Sequence, residues 1–327
     1  MMEISKEKKE KKKRIVSIWV CILIFIGAFF AGMISKVAIK PAWSTKYTAT
    51  WSEELGTKIT DISYGDEEAN KFDLYLPKDS TKDTYGLVIY LHAGGFTSGD
   101  KADDENMLAW LCSKGYVAAG INYTLRTDTN NASVLLQSNE IKEAIPIVVE
   151  EAKNRGYNID KMTVAGGSAG HALAMIYAYR DAQDAPVPVV FTFGAVGPSC
   201  FYVEDWGVYG LDQNTEESRI AAANLFSVEI TPEEIQNGSY TEKMKPISAA
   251  EWVSENPIPT VVAYGTCDKV QPFLASLRLK EALEDNGVDY KYYELPHSGH
   301  GLQNDDRISE QWMESIDEYL NKYMPVN

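Results

Sequence analysis

Short hydrophobic runs alternate along this chain with longer segments whose apolar residues recur at helical spacing. The runs predict strands at residues 58–63, 72–76, 86–91, 117–123, 162–165, 187–193, 260–264 and 290–295, and those at 86–91 and 162–165 are predicted to be buried. Helical spacing predicts helices over residues 103–112, 138–155, 172–179, 273–286 and 309–323. Strands that alternate with helices indicate an α/β fold in which a mostly parallel central sheet has helices on both faces.

A long uncharged apolar segment covers residues 15–34. At about 1.5 Å of rise per residue, a helix of this length spans roughly 30 Å, the hydrocarbon thickness of a bilayer. Residues 1–14 form a basic tail, which predicts a cytoplasmic N-terminus and an extracytoplasmic remainder. We therefore expect an uncleaved, single-pass signal-anchor in the cell membrane. A cleaved signal peptide is the alternative and would make the protein secreted, although its apolar region is usually only about 7–15 residues long.

The rest of the chain divides into a short linker and one large domain. Residues 35–50 are predicted as a juxtamembrane linker, and residues 51–327 as the main domain. Within that domain, about residues 197–258 carry short helical pieces and aromatic side chains, and we interpret them as a lid inserted over the functional site.

The charge balance restricts the partners. The chain holds 47 acidic and 31 basic side chains, with a net charge of −16, although its first fourteen residues are basic. An acidic surface disfavours nucleic acid as a partner and suits a neutral small-molecule or carbohydrate substrate.

A candidate nucleophile lies in the motif Gly166-Gly167-Ser168-Ala169-Gly170. The motif follows the predicted strand at 162–165 and precedes the predicted helix at 172–179. A serine on such a turn has a strained backbone that tolerates little bulk beside it, which explains the flanking glycines. The N-terminus of the following helix also favours an anion beside the serine.

Three further motifs each follow a predicted strand. His92-Ala93-Gly94-Gly95-Phe96 comes after the strand at 86–91, Asp268 after the strand at 260–264, and His297-Ser298-Gly299-His300-Gly301 after the strand at 290–295. Because the carboxyl ends of parallel strands meet at one edge of a sheet, we expect these residues to converge there. Serine, then acid, then histidine is the chain order expected for such a site.

These motifs resemble those of the α/β-hydrolases, and in particular esterases with a His-Gly-Gly-Gly oxyanion loop, similar to acetylesterases and carbohydrate esterases. The resemblance covers the chain from about Thr57 to the C-terminus. It implies that Ser168 is the nucleophile, that His300 is the general base and acid, and that Asp268 orients the imidazole. It further implies an oxyanion hole formed by the amides of Gly94, Gly95 and Ala169.

Other histidines leave alternatives open. His297 could replace His300 as the base, but the family's base precedes a glycine and an apolar residue, as His300 does. We interpret His92 as support for the oxyanion loop. His171 could lie on the helix surface, line the pocket or take part in function. No metal-binding spacing and no phosphate-binding loop is found, so we expect no metal and no cofactor.

The sequence therefore predicts a membrane-anchored, extracytoplasmic serine hydrolase. It would be a carboxylesterase that cleaves short acyl groups, such as acetyl groups on carbohydrate, through an acyl-enzyme. A serine exopeptidase of the same fold is one alternative, since the same triad cleaves amides. A catalytically silent hydrolase fold that serves as a surface binding protein is another.

Overall fold

In the computed structural model, which describes residues 41–130 and 132–326, a sheet of eight strands forms the centre of the molecule. The strands are β1 (Gly56–Ser63), β2 (Lys71–Pro77), β3 (Tyr85–Leu91), β4 (Val117–Ile121), β5 (Ile159–Gly167), β6 (Val189–Ala195), β7 (Thr260–Gly265) and β8 (Tyr290–Leu295). Their order is β1-β2-β4-β3-β5-β6-β7-β8. β2 is antiparallel to both β1 and β4, and the remaining pairs are parallel, as predicted.

Helices connect the parallel strands, and one more helix follows the last strand. In the described chain they are α1 (Glu105–Ser113), α2 (Val134–Asn154), α3 (Ala169–Ile176), α4 (Glu216–Phe226), α5 (Pro232–Asn237), α6 (Tyr240–Met244), α7 (Phe273–Asp285) and α8 (Asp306–Tyr323). α2 begins four residues earlier than predicted, because the side chain of Ser133 caps it by accepting a hydrogen bond from the Leu136 amide at 3.1 Å.

Burial along the strands follows their place in the sheet. Every residue of β4 and of β7 is buried, because helices cover both faces at these positions. β1 and β8 form the two edges, and exposed residues interrupt both strands. The register pairs Leu91 of β3 with Gly166 of β5, and Gly166 with Gly194 of β6. The carboxyl ends of these three strands therefore meet at one edge, as the motifs require.

The predicted lid, residues 197–258, is a run of short helices between β6 and β7, and we refer to it as the cap. Three of its aromatic rings pack together: Phe201 lies 5.5 Å from Trp206 and 4.4 Å from Phe226 between ring centroids. Arg278 of α7 holds the cap through an ion pair with Asp205 and a 2.9 Å contact between its Nη2 atom and Glu204 Oε1. The cap is thus attached to the helix that follows the Asp268 motif.

Most of the N-terminal predictions concern residues that the structure does not describe. The basic tail, the apolar segment 15–34 and the first part of the linker lie outside the described residues. Within the linker, a 3₁₀ helix spans Ala42–Tyr47. Across residues 41–130 and 132–326, no helix has both the length and the apolar character needed to cross a bilayer.

A carboxyl group at the start of α1 makes the stability depend on pH. Burial, reinforced by the charge of Asp103, raises the pKa of Asp104 to about 7, and among the described residues its Oδ2 atom has no hydrogen-bond partner. Because the folded chain holds this proton more tightly than the unfolded chain, the free energy of unfolding falls as pH rises from about 4 to about 7.

We expect Asp104→Asn to raise the free energy of unfolding by about 2 kcal/mol at pH 8, and by much less at pH 4.5. The amide carries no charge, so the variant avoids the cost of a buried carboxylate. Urea unfolding at both pH values measures the effect, with Asp66→Asn as the exposed control. Equal stabilisation at the two pH values would contradict the assignment.

Candidate active site

Ser168 occupies the sharp turn between β5 and α3. Its backbone has φ 50° and ψ −117°, a conformation that L-residues rarely adopt, and its amide donates to the Ala195 carbonyl at 2.9 Å. A Cβ atom at Gly170 would lie 1.9 Å from the Leu91 carbonyl oxygen, and one at Gly166 would lie 2.5 Å from the Gly170 carbonyl carbon. Glycine at both positions therefore lets the turn pack against the end of β3.

A chain of hydrogen bonds joins Ser168 to a histidine and a carboxylate. His300 Nε2 lies 2.8 Å from Ser168 Oγ, and His300 Nδ1 lies 2.7 Å from Asp268 Oδ2. The other oxygen of Asp268 accepts from the amides of Val270 at 2.8 Å and Gln271 at 3.1 Å. The Asp268 side chain is only 1% exposed, so its charge acts on the imidazole with little screening by water. The structure thus brings together the three residues predicted from the motifs.

His297, the alternative base, points elsewhere. Its side chain is 76% exposed, and its Nδ1 atom lies 2.8 Å from Asp305 Oδ1. His300, which contacts Ser168, is three residues further along the same loop. The geometry favours His300.

The predicted oxyanion loop follows β3 and turns sharply. Gly94, Gly95 and Phe96 have φ values of 127°, 59° and 67°. A Cβ atom at Gly94 would lie 1.9 Å from the Ser98 carbonyl oxygen, so this position requires glycine. Gly95 and Ala169 line the same cavity as Ser168, and Gly94 directly precedes Gly95 in the loop after β3.

His92 supports this loop from inside the molecule. Its ring stacks on Tyr123 at 4.3 Å, and its backbone carbonyl accepts a hydrogen bond from the Tyr123 hydroxyl at 2.9 Å. Burial lowers the pKa of His92, so the ring is neutral and its Nδ1 atom donates to the Ala93 carbonyl at 2.7 Å. This geometry fits the role in loop support that the sequence predicts.

A second support was missed by the sequence analysis. Gln137 of α2 is fully buried, and its Nε2 atom donates to the carbonyls of Phe96 at 2.9 Å and Thr124 at 2.8 Å. It holds the loop residue whose φ is 67°. No motif marks Gln137, because its partners lie far away in the chain; only the apolar surroundings of a glutamine at a core position of α2 hint at its role.

His171 lies on α3 beneath the Ser168 turn and is fully buried. Burial lowers its pKa to about 3, so the ring is neutral, and its Nδ1 atom accepts from the Gly197 amide at 3.1 Å. A Cβ atom at Gly194 would lie 2.4 Å from this ring. Of the sequence-based alternatives, the structure excludes the helix surface. Gly167 has room around it, since a Cβ atom there would be 4.0 Å from its nearest neighbours.

A small cavity opens beside Ser168. Its lining includes the three cap rings, and the full set is Gly95, Phe96, Ser168, Ala169, Pro198, Phe201, Trp206, Phe226, Val270, Gln271 and His300. Its volume is about 50 Å³. This exceeds the roughly 10–15 Å³ that one water needs, and is well below the roughly 150 Å³ of a cavity that holds benzene. The site therefore suits a short apolar group.

Metal chemistry has no ligand set in the described part of the chain, where no cluster of three or more His, Cys, Asp or Glu side chains could hold an ion. Cys112 and Cys200 are buried free thiols, and Cys267 is an exposed one. The arrangement that remains is a hydrogen-bonded hydroxyl, imidazole and carboxylate beside a turn rich in backbone amides.

Comparison with known proteins shows the family to which the chain belongs. Residues 72–283 match the BD-FAE family, which comprises α/β-hydrolase esterases, and the chain belongs to it. This confirms the predicted class, a serine hydrolase of the α/β-hydrolase fold, at the level of the family.

Solved structures show the same fold. A truncated carbohydrate esterase from gut microbiota superposes with a TM-score of 0.61 at 19% identity, over 84% of this chain and 98% of the other. The butyrate-bound esterase Est2 of Thermogutta terrifontis gives 0.64 at 19% identity, with the same shares covered.

Curated relatives match in part. Kynurenine formamidase of Danio rerio is 30% identical over 36% of this chain and 38% of its own length. Esterase LipC of Mycobacterium tuberculosis is 24% identical over 74% of this chain and 59% of its own. The chain thus spans about two fifths to three fifths of the length of these relatives.

Proposed function

We propose that this protein is a carboxylesterase that releases short acyl groups through an acyl-enzyme on Ser168. The observation that carries the proposal is the continuous hydrogen-bond chain from Asp268 through His300 to Ser168, which ends beside a small apolar cavity. A serine hydroxyl is a weak nucleophile at neutral pH, and a hydrogen-bonded imidazole overcomes this weakness by accepting its proton.

In the first half-reaction, Ser168 Oγ attacks the ester carbonyl carbon while His300 Nε2 takes the hydroxyl proton. Asp268 stabilises the imidazolium that forms. The carbonyl oxygen becomes an oxyanion, to which we expect the amides of Gly94, Gly95 and Ala169 to donate hydrogen bonds. Loss of one such donor typically costs about 3–4 kcal/mol of barrier. His300 then gives its proton to the leaving alcohol as the carbon–oxygen bond breaks.

In the second half-reaction, water takes the place of the alcohol. His300 accepts a proton from this water as its oxygen attacks the acyl carbon. The resulting tetrahedral intermediate collapses, Ser168 recovers its proton from His300, and the carboxylic acid leaves. The cycle consumes one water and one ester, and needs no cofactor.

The cavity suggests which acyl groups are accepted. Phe201, Trp206 and Phe226 form an apolar wall, and a volume of about 50 Å³ fits an acetyl group better than a long chain. A carbohydrate is our proposal for the alcohol part, supported by the fold shared with a carbohydrate esterase.

We further propose that an N-terminal membrane anchor tethers the enzyme, and that its catalytic domain lies outside the cell. The support lies in the sequence, where the uncharged segment 15–34 follows a basic tail and precedes an acidic remainder. Washing of membranes with carbonate tests this, since an anchored protein stays with the pellet. Release of the full-length chain into the supernatant would contradict it.

The acyl-length preference tests the proposed substrate class. We expect kcat/KM for p-nitrophenyl esters to be highest for acetate and to fall at least tenfold by hexanoate. Phe226→Leu enlarges the cavity, so the ratio of hexanoate to acetate activity should rise about tenfold, equivalent to about 1.4 kcal/mol. Phe191→Leu is the matched control. Phe191 is a buried residue of β6 that packs against Tyr319 of α8, away from the cavity, so this substitution should leave the ratio unchanged.

The same assay separates the alternatives. Faster cleavage of aminoacyl or prolyl anilides than of acetate esters would identify an exopeptidase instead. Failure of the intact protein both to cleave any substrate and to react with a fluorophosphonate would identify a binding protein.

A further inference from the structure

A second cluster of hydrogen bonds lies in the loop that carries His300. Its centre is Asp305, a buried carboxylate at the start of α8. Asp305 Oδ2 accepts from the His297 amide at 3.0 Å and from the Ser298 hydroxyl at 2.6 Å, and Oδ1 lies 2.8 Å from His297 Nδ1. Three donors from two consecutive residues thus converge on one carboxylate.

Further bonds tie the two ends of this loop together. The Ser298 hydroxyl is fully buried and accepts from the Asn304 amide at 3.0 Å, while Asn304 Nδ2 donates to the His297 carbonyl at 2.7 Å. Hydrogen bonds therefore join residues 297–298 to residues 304–305 in one closed network, and His300 lies on the segment between them.

This hydrogen-bond network also contacts the loop that carries Asp268. The Ser298 carbonyl accepts a hydrogen bond at 3.0 Å from the amide of Cys267, the residue directly before Asp268. Fixing Ser298 therefore fixes the spacing between the loop that carries His300 and the loop that carries Asp268.

We propose that Asp305 is a positioning residue that keeps His300 Nε2 in line with Ser168 Oγ. The inference rests on the proposed function, and it concerns a residue that does not touch the reacting atoms. A displacement of about 1 Å at a reacting group can lower a rate roughly a hundredfold, so a rigid loop matters for turnover.

The chemistry explains why a carboxylate occupies this position. Burial opposes the charge, yet the donors Ser298 and His297 lower the pKa of Asp305 below its ordinary value, so the group stays ionised. An asparagine of the same shape is neutral and has one acceptor oxygen, so it would accept more weakly from the Ser298 hydroxyl and the His297 amide. The exposed His297 ring contributes little, because water competes for its hydrogen bond.

The test is the Asp305→Asn variant assayed with p-nitrophenyl acetate. The amount of active enzyme is measured as the Ser168 that a fluorophosphonate labels after prolonged incubation, and kcat is expressed per labelled serine. We expect this kcat to fall about 10- to 100-fold while KM changes less than about threefold. Ser298→Ala removes one donor and should lower kcat in the same direction, whereas His297→Ala should change it less than about threefold. Glu314→Gln, which removes an exposed charge from the same helix, is the control.

Two outcomes overturn the inference. One is that Asp305→Asn leaves kcat per labelled serine unchanged and lowers only the fraction of protein that the fluorophosphonate labels, which would show that Asp305 serves folding alone. The other is a larger loss in His297→Ala than in Ser298→Ala, which would assign the effect to the ring. A wild-type protein that is not labelled would instead refute the proposed function, and the inference with it.

Discussion

Ser168→Ala is expected to abolish turnover of p-nitrophenyl acetate, with a loss on the order of 10⁵-fold or more in kcat. The change removes the only atom that contacts His300 Nε2 among the hydrogen bonds of the described site, so no acyl-enzyme can form. Steady-state assays measure the rate, and a fluorescent fluorophosphonate measures covalent labelling, which should disappear as well.

The fold should survive this change, because the turn depends on the glycines and on the Ser168 backbone rather than on its hydroxyl. Circular dichroism and the melting temperature check this point. Ser113→Ala, on the exposed end of α1, is the control and should retain both activity and labelling. Full labelling of Ser168→Ala would place the nucleophile at another residue.

His300→Ala should lower kcat on the order of 10⁴-fold or more, whereas His297→Ala should lower it less than about threefold. His300 bridges Ser168 and Asp268, and its loss leaves the hydroxyl without a base. His297 is largely exposed and bonds to Asp305 instead.

The two histidine variants are matched, since they lie three residues apart in one loop and make the same substitution. Activity with p-nitrophenyl acetate is compared at pH 8, after both variants are shown to melt at similar temperatures. The reverse ranking would mean that the loop adopts another arrangement during catalysis, with His297 as the base.

Local pattern was enough for most elements. The apolar run at 260–264 appears as β7 (Thr260–Gly265), because a strand buried on both faces must be apolar throughout. The segment 290–295 appears as the edge strand β8 (Tyr290–Leu295), in which the exposed residues Lys291 and Glu294 interrupt the apolar ones. The errors in these elements lie at their ends. α2 starts four residues earlier than predicted because a serine cap rather than the apolar spacing sets its start, and β5 (Ile159–Gly167) extends beyond the predicted residues 162–165 in both directions.

The supports of the site could not be predicted in the same way. Gln137 holds Phe96 across 41 residues, and Tyr123 holds His92 across 31. Asp305 carries no motif of its own, although it lies only eight residues beyond His297. Single polar residues of this kind acquire a role only through their partners in space.

The sequence by itself determined the alternation of strands and helices, the glycines around Ser168 and the candidate residues of each loop. These features depend on local backbone sterics and on which residues must be buried, and the order of residue types along the chain indicates both. The tertiary structure alone decided that His300 rather than His297 contacts Ser168, that His171 is a buried neutral ring, and how large the cavity is. Each of these depends on distances between segments far apart in the chain, which only the packed sheet and its cap define.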